Sequence, residues 1–226
     1  MPSPLRVFLL ICVFRLFNTF LIQSYFDPDE FWQTLEPAYC AVFRPDEGFD
    51  CPGFTWEWKR RAPESYNALQ RSLWGPVRTY LSVLPTHLFY SCIQALGMDS
   101  PWMVARGPMI LYAVTVAAPV DWAVWYCTQA MMLSSSSNYS AMSSWSLWAS
   151  LSAWFHAYTL VRTFSNSQEA VLLMLSLCVV AEDLLAESSS SSSSSSKDKY
   201  SRSPRRVSCA RAAFLLGGLS LSIRGT

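Results

Sequence analysis

The stretch FLLICVFRLFNTFLIQSYFDPDEFWQTLE, Phe8 to Glu36, runs from almost unbroken hydrocarbon into an acidic, aromatic segment. Its first half, Phe8 to Ile22, is interrupted only by Arg15, Asn18 and Thr19. Apolar residues gathered in a run, rather than dispersed at amphipathic spacing, mark a helix that crosses lipid. Its second half, Tyr25 to Glu36, sets polar side chains at the edge of that helix, which points to chemistry at a membrane surface.

Further apolar blocks lie at 77–96, 103–133, 145–161, 168–186 and 209–223. The chain has 226 residues and is 51% hydrophobic, with ten Trp, ten Tyr and thirteen Phe. Six such blocks predict an all-α fold, a multi-pass transmembrane helical bundle, rather than a soluble core. Arg6 ahead of the first block resembles the charged region of a signal peptide, but no small-residue cleavage pattern follows. The block therefore reads as an uncleaved span whose basic start predicts a cytoplasmic N-terminus. Residues 24–76 would then form a loop facing a lumen or the exterior.

Net charge is +1, so its distribution is more telling than its sum. Eight of the sixteen acidic residues fall between Asp27 and Glu57, as in a translocated loop. Lys197, Lys199, Arg202, Arg205, Arg206 and Arg211 cluster near the other end. With apolar blocks on both sides, that cluster reads as a cytoplasmic topology signal and not as a nucleic-acid site. There is no CxxC pair and only two histidines, His87 and His156, so no metal constellation is expected. Of the seven cysteines, Cys40 and Cys51 share the acidic loop and can bridge if it is oxidised, whereas most of the others are expected to pack in spans.

The acidic segment has its own order. Asp27 can cap a helix with Pro28 at its first position, Glu30 stands three residues after the cap, and Phe26 with Phe31 makes a hydrophobic staple. Asp29, Gln33 and Glu36 would share one face turned to water, with Phe31 and Leu35 projecting elsewhere and Trp32 nearby. Met103 to Met132 is longer than one span needs; it is either a single tilted helix or two elements broken near Pro119, and it carries Asp121, an acid that must find a partner inside a bundle. Ser134 to Ser144 reads as a linker, with Asn138-Tyr139-Ser140 a glycosylation acceptor only if it faces a lumen. Nine consecutive serines, 188–196, open a low-complexity basic loop over 187–208 that is expected to be disordered.

Several segments resemble the dolichyl-phosphate-mannose-dependent mannosyltransferases of glycosyltransferase family 22, and most of all the glycosylphosphatidylinositol (GPI) mannosyltransferase 3 branch. They are VFRLFNTFLIQSYFDPDEFWQTLEPAY (Val13 to Tyr39), FTWEW (Phe54 to Trp58), VRTYLSVLP (Val77 to Pro85), ARGPM (Ala105 to Met109) and VRTFSNSQEAVL (Val161 to Leu172). The resemblance implies a GT-C type fold with a luminal active site in the endoplasmic reticulum membrane. It implies transfer of mannose from dolichyl phosphate mannose to a GPI precursor glycolipid, an alpha-1,2 bond formed with inversion, with membrane lipid as the surroundings; no cofactor is expected and no metal ligands are assigned. Members of that family are about twice as long, so 1–226 reads as the N-terminal part of such a domain. Two departures stand out, the extra residues between Trp58 and Arg78 and the serine-rich insertion at 188–208.

Mannose transfer from a lipid phosphate needs a base at the acceptor oxygen and charge against the departing phosphate. Asp29, expected one turn into its helix and held ionised by the helix dipole, is the first candidate base. Glu30 is the rival, ranked second because reaching back to the Asp27 amide would occupy it. Arg78 and Arg162 are candidates for the phosphate, and Ser165 and Asn166 for sugar hydroxyls. Trp32, Trp56 and Trp58 can line a sugar-facing wall, with Asp27 and Glu57 completing the substrate-binding set. Counting spans one by one sets 97–102 in the cytosol, and Arg162 with it if 103–133 crosses once. A luminal Arg162 requires a double crossing there or another block that does not cross. Rival readings are a related mannosyltransferase acting on lipid-linked oligosaccharide, a transporter or assembly subunit, and an inactive truncated product. The transporter reading expects charges along several spans, where only Arg15 and Asp121 are conspicuous.

Overall fold

The computed structural model describes residues 3–22, 31–55, 58, 80–132, 139–163, 165–191 and 215–216. These residues form helices and turns, with no strand among them. Helix α1 is Pro4–Leu21. Ser3 caps it by accepting from the Arg6 amide at 3.4 Å, and Pro4 occupies the first turn, where a missing N–H costs nothing. Its buried stripe, Val7, Ile11, Arg15 and Asn18, follows helical spacing and mixes apolar with polar groups, while the opposite face is hydrocarbon. Leu5, Leu10, Val13, Phe17 and Leu21 are all at least 60% exposed. An apolar outer face with Arg15 and Asn18 turned inward suits a helix whose outer solvent is lipid.

A π-helical turn, Phe31–Leu35, leads into α2, Glu36–Phe43, and a 3-10 turn follows over Pro45–Asp50. A disulfide between Cys40 and Cys51 ties that turn back onto α2, with α-carbons 6.0 Å apart, so the acidic loop does form the bridge its two cysteines allow. Gly48, at φ 49, supplies the left-handed backbone that reverses the chain inside the bridge. After a 3-10 turn at Tyr80–Ser82, α3 spans Leu84–Ala95. It packs on α2 through Ala38, Val42, Val83, Tyr90 and Ile93. Its twelve residues reach about 18 Å at 1.5 Å each, well short of a bilayer's hydrocarbon.

Helix α4, Pro101–Tyr112, passes through a π-turn, Ala113–Ala117, into α5, Ala118–Met132. The rod is thus one element and not two. Pro119 has no N–H to give the carbonyl of Thr115 and crowds it with its ring; the widened turn just before it absorbs the mismatch without a break. Helix α6, Tyr139–Ser152, α7, Trp154–Thr159, and α8, Ser165–Ser191, complete the description. Helix α6 takes over part of the serine-rich stretch expected to be linker, and the α8 backbone runs into the polyserine run as far as Ser191. Of the six blocks, two described helices are long and apolar enough to cross a membrane, Pro4–Leu21 and Pro101–Ala130. The block at 209–223 lies almost wholly outside the described residues.

Helices α1 and α5 run antiparallel, with Val7, Ile11 and Cys12 packed against Ala118 and Trp125. Arg106 Nη1 donates to the Ile22 carbonyl at 2.8 Å, so the end of α1 meets the start of α4. The 97–102 connection therefore lies at the same end of the bundle as Phe31, contrary to the one-by-one count. The count fails because α3 is too short to cross and folds back on α2. The α7–α8 junction joins the same end, where Thr34 Oγ1 donates to the Thr163 carbonyl at 2.6 Å.

Helix α3 seats on α4 at Gly107, where an added Cβ would stand 2.3 Å from Phe89 Cζ. Gly107→Ala should lower stability by about 1–3 kcal/mol through overpacking. Thermal unfolding in detergent would read this, and Phe89→Leu in the same chain should restore much of it. An unchanged melting temperature in Gly107→Ala would mean that the two helices do not meet in this way.

Candidate functional site

At that shared end lies a cavity of about 660 Å³. Ile22 lines it from the end of α1, Phe31, Leu35, Glu36, Tyr39 and Phe43 from the π-turn and α2, and Tyr90 from α3. Asp99 and Pro101 lead into α4, which adds Val104, Arg106 and Met109, and Arg162 enters from the α7–α8 junction. Both residues that bracket 23–30, Ile22 and Phe31, thus face one space.

The π-turn changes how the acidic segment is presented. On a regular helix Phe31 and Leu35 would turn away from Glu36, but the wider turn brings all three to the cavity. Gln33 is buried and Glu36 half-buried, so this face is not simply turned to water. Burial pushes the Glu36 carboxyl above the usual carboxylate range, and Arg44 partly offsets it. Gly53 backs Glu36, since a Cβ there would lie 2.9 Å from the Glu36 Cβ and 2.7 Å from Cys40 Sγ. The disulfide loop therefore clamps the wall that carries Glu36. Opposite, the Tyr90 hydroxyl donates to the Val104 carbonyl at 3.0 Å, and burial raises the phenol's pKa.

Arg162 is 3% exposed, with its guanidinium carbon 4.6 Å from the Tyr158 ring centroid, a cation–π arrangement that holds it in place. Asn166 is exposed near the start of α8. Trp32 is exposed, but Trp58 is buried, its indole donating to the Trp32 carbonyl at 3.0 Å and its ring edge-on to Phe54 and Tyr80. Trp58 is thus held in the packing between the π-turn and α3, not among the residues lining the cavity. Asp27, Asp29, Glu30, Trp56, Glu57 and Arg78, together with the Ser165 side chain and the helix start expected at Asp27, lie outside the described residues. Among the described residues no three His, Cys, Asp or Glu converge in a way that could hold a metal ion.

Sequence reasoning missed Arg106, Glu36 as a cavity group, and Gln168. Arg106 had a readable signal, a lone charge in an otherwise apolar helix, which in lipid is costly unless it works. Gln168 had none. It donates to the Ser82 carbonyl at 2.7 Å and to the Tyr112 hydroxyl, tying α8 to the turn before α3 and to α4.

Two helices long and apolar enough to cross a membrane, with a largely apolar cavity that carries Glu36, Arg106 and Arg162 at one end of the bundle, support a membrane location for this all-α chain. The sequence matches the profile of the Alg9-like mannosyltransferase family over residues 6–217, and the chain belongs to that family. It is 32% identical to Mannosyltransferase APTG1 of Arabidopsis thaliana, over 77% of this chain and 27% of that protein. GPI mannosyltransferase 3 of Yarrowia lipolytica is 32% identical over 76% of this chain and 28% of its own length. The Schizosaccharomyces pombe protein of the same name is 33% identical over 73% and 27%. The chain therefore spans just over a quarter of the length of these relatives. No solved structure matches it.

Proposed function

We propose that this chain carries the first part of a dolichyl-phosphate-mannose-dependent mannosyltransferase that adds an alpha-1,2-linked mannose to a GPI precursor at the luminal face of the endoplasmic reticulum membrane. The observation that carries this reading is the cavity. It joins the two residues flanking 23–30 to Arg106 and Arg162, the partners a lipid phosphate needs.

Sidedness is consistent with it. With a cytoplasmic N-terminus, α1 delivers 24–76 to the lumen and α3 stays there. Helices α4 and α5 then return through the bilayer, and α6 with α7 brings Arg162 back to the luminal end. A non-crossing α3 is what a luminal Arg162 required.

In the transfer, the acceptor hydroxyl oxygen bonds to C1 of mannose from the face opposite the phosphate. The C1–O bond to phosphate breaks, dolichyl phosphate leaves with the electron pair, and the hydroxyl proton passes to the Asp29 carboxylate. Glu30 remains the alternative base. Arg162, with Arg78, offsets charge on the leaving phosphate, and Asn166 and Ser165 are placed by sequence for sugar hydroxyls.

Cells lacking GPI mannosyltransferase 3 would test the reading. The full-length transcript encoding this chain should let their stalled GPI intermediates gain one mannose, as read by mass spectrometry of the glycolipids. Unchanged GPI intermediates with extended lipid-linked oligosaccharides would move the acceptor to that second class. No change in either would sink the transferase assignment.

A further inference from the structure

We propose that Arg106 contacts the donor's phosphate directly, as the residue that holds the headgroup of a polyprenyl-phosphate-linked sugar in the cavity between α1, α2 and α4. This rests on the mannosyltransferase reading above. Arg106 is half-buried on the first half of α4 and lines the cavity. One nitrogen, Nη1, donates to the Ile22 carbonyl at 2.8 Å and lies 3.9 Å from Met109 Sδ. Ile22 is the residue that closes α1, so its carbonyl is one a helix end leaves unpaired. That bond fixes the guanidinium plane against the backbone. Guanidinium carries five N–H donors in a rigid fork, so Nε and Nη2 stay available as a bidentate pair for an anion.

The pairing of Arg106 points to the same ligand. Among the described residues no carboxylate pairs with Arg106, although Glu36 and Asp99 line the same cavity. A half-buried guanidinium whose Nε and Nη2 meet no acceptor among the described residues is ready to take an anion. Arg162 brings a second cation, while Ile22, Leu35 and Met109 supply hydrocarbon beside it. A phosphate on an isoprenoid tail satisfies both kinds of wall, whereas free phosphate uses only the arginines.

The test uses the full-length protein in detergent with dolichyl monophosphate, a polyprenol lacking phosphate, and inorganic phosphate as probes, binding being read by intrinsic tryptophan fluorescence. Arg106→Gln should weaken dolichyl monophosphate binding about 10- to 100-fold, the loss of a charged hydrogen-bond pair. It should leave polyprenol binding and the melting temperature unchanged, and Arg106→Lys should recover part of the affinity. Equal loss of polyprenol binding, or a collapsed melting temperature in both variants, would make Arg106 a helix-end clamp and overturn the proposal. So would wild-type affinity in Arg106→Gln. Tight inorganic phosphate binding that Arg106→Gln abolishes, with no gain from the lipid tail, would assign the site to free phosphate instead. A wild-type protein that binds no dolichyl monophosphate would remove the transferase reading itself, and the proposal with it.

Discussion

Asp29→Asn in the full-length transcript should cut mannose transfer by about 100- to 10,000-fold while expression and membrane insertion persist, the range that loss of a general base produces. Asn is nearly isosteric with Asp and keeps its hydrogen-bonding oxygen, so a structural cap would survive the change. A base would not, because the amide cannot take a proton from the acceptor. Asp29 stands two residues before Phe31, and Phe31 and Ile22 both line the arginine-containing cavity. The described residues on either side of 23–30 thus line the cavity where the leaving phosphate is expected. Glu30→Gln serves as the comparison: if Glu30 closes a capping box, its loss should cost about 0.5–2 kcal/mol of local stability and little of the chemical step. Microsomal assays with dolichyl phosphate mannose, separating kcat from donor KM, would read both. Undiminished turnover in Asp29→Asn, or a larger loss in Glu30→Gln, would take the base role from Asp29.

Which parts of this were readable in advance follows from the range of the interactions involved. The helical class and α1 come from local apolar runs that the sequence shows directly, whereas the sequence leaves 103–133 open between one rod and two elements, and only the π-turn before Pro119 makes it one. Arg15 and Asp121 were conspicuous as charges in hydrocarbon, and a charge at that depth must find an opposite one. The true length of α3 was not readable. Residues 77–96 are apolar enough for a span, yet Pro85 sits in the first turn of a helix that begins only at Leu84 and ends at Ala95, before Gly97 turns left-handed at φ 64. Where a helix begins depends on what its start packs against, here α2 and the disulfide loop, and composition does not carry that. For the same reason Arg106 went unranked. Its meaning comes from Ile22, more than eighty residues earlier, meeting it at one end of the bundle. The π-turn at Phe31–Leu35 was likewise hidden, because it departs from the helical spacing by which faces are assigned.

Breaking the Arg15–Asp121 pair should be the most damaging change to the fold. Both side chains are fully buried, with Arg15 Nε 2.5 Å from Asp121 Oδ2 and Nη2 2.9 Å from Oδ1, a bidentate fork. Ser150 Oγ donates to Asp121 Oδ1 at 2.6 Å and lies 3.0 Å from His156 Nδ1, while Arg15 Nη2 reaches the Ser150 carbonyl at 3.4 Å. One ion pair thus joins α1, α5, α6 and α7. Arg15→Met leaves an uncompensated carboxylate and Asp121→Leu an uncompensated guanidinium, and either should destabilise by about 3–5 kcal/mol. The double variant removes both charges, so much of that loss should return, because the penalty lies in the orphaned charge rather than in the missing bond. Thermal unfolding of the four proteins in detergent closes the cycle. If the double variant instead falls by the sum of the two singles, the residues are not coupled and the α1–α5 register must be held by the apolar contacts of Ile11, Ala118 and Trp125 alone. The register matters for the site as well. Arg15 lies two helical turns before Ile22, so an α1 released from Asp121 is free to slide, and the Ile22 carbonyl that orients Arg106 moves with it. Arg15→Met should therefore also raise the donor KM in whatever fraction of protein still folds, even though Arg15 itself is buried away from the cavity.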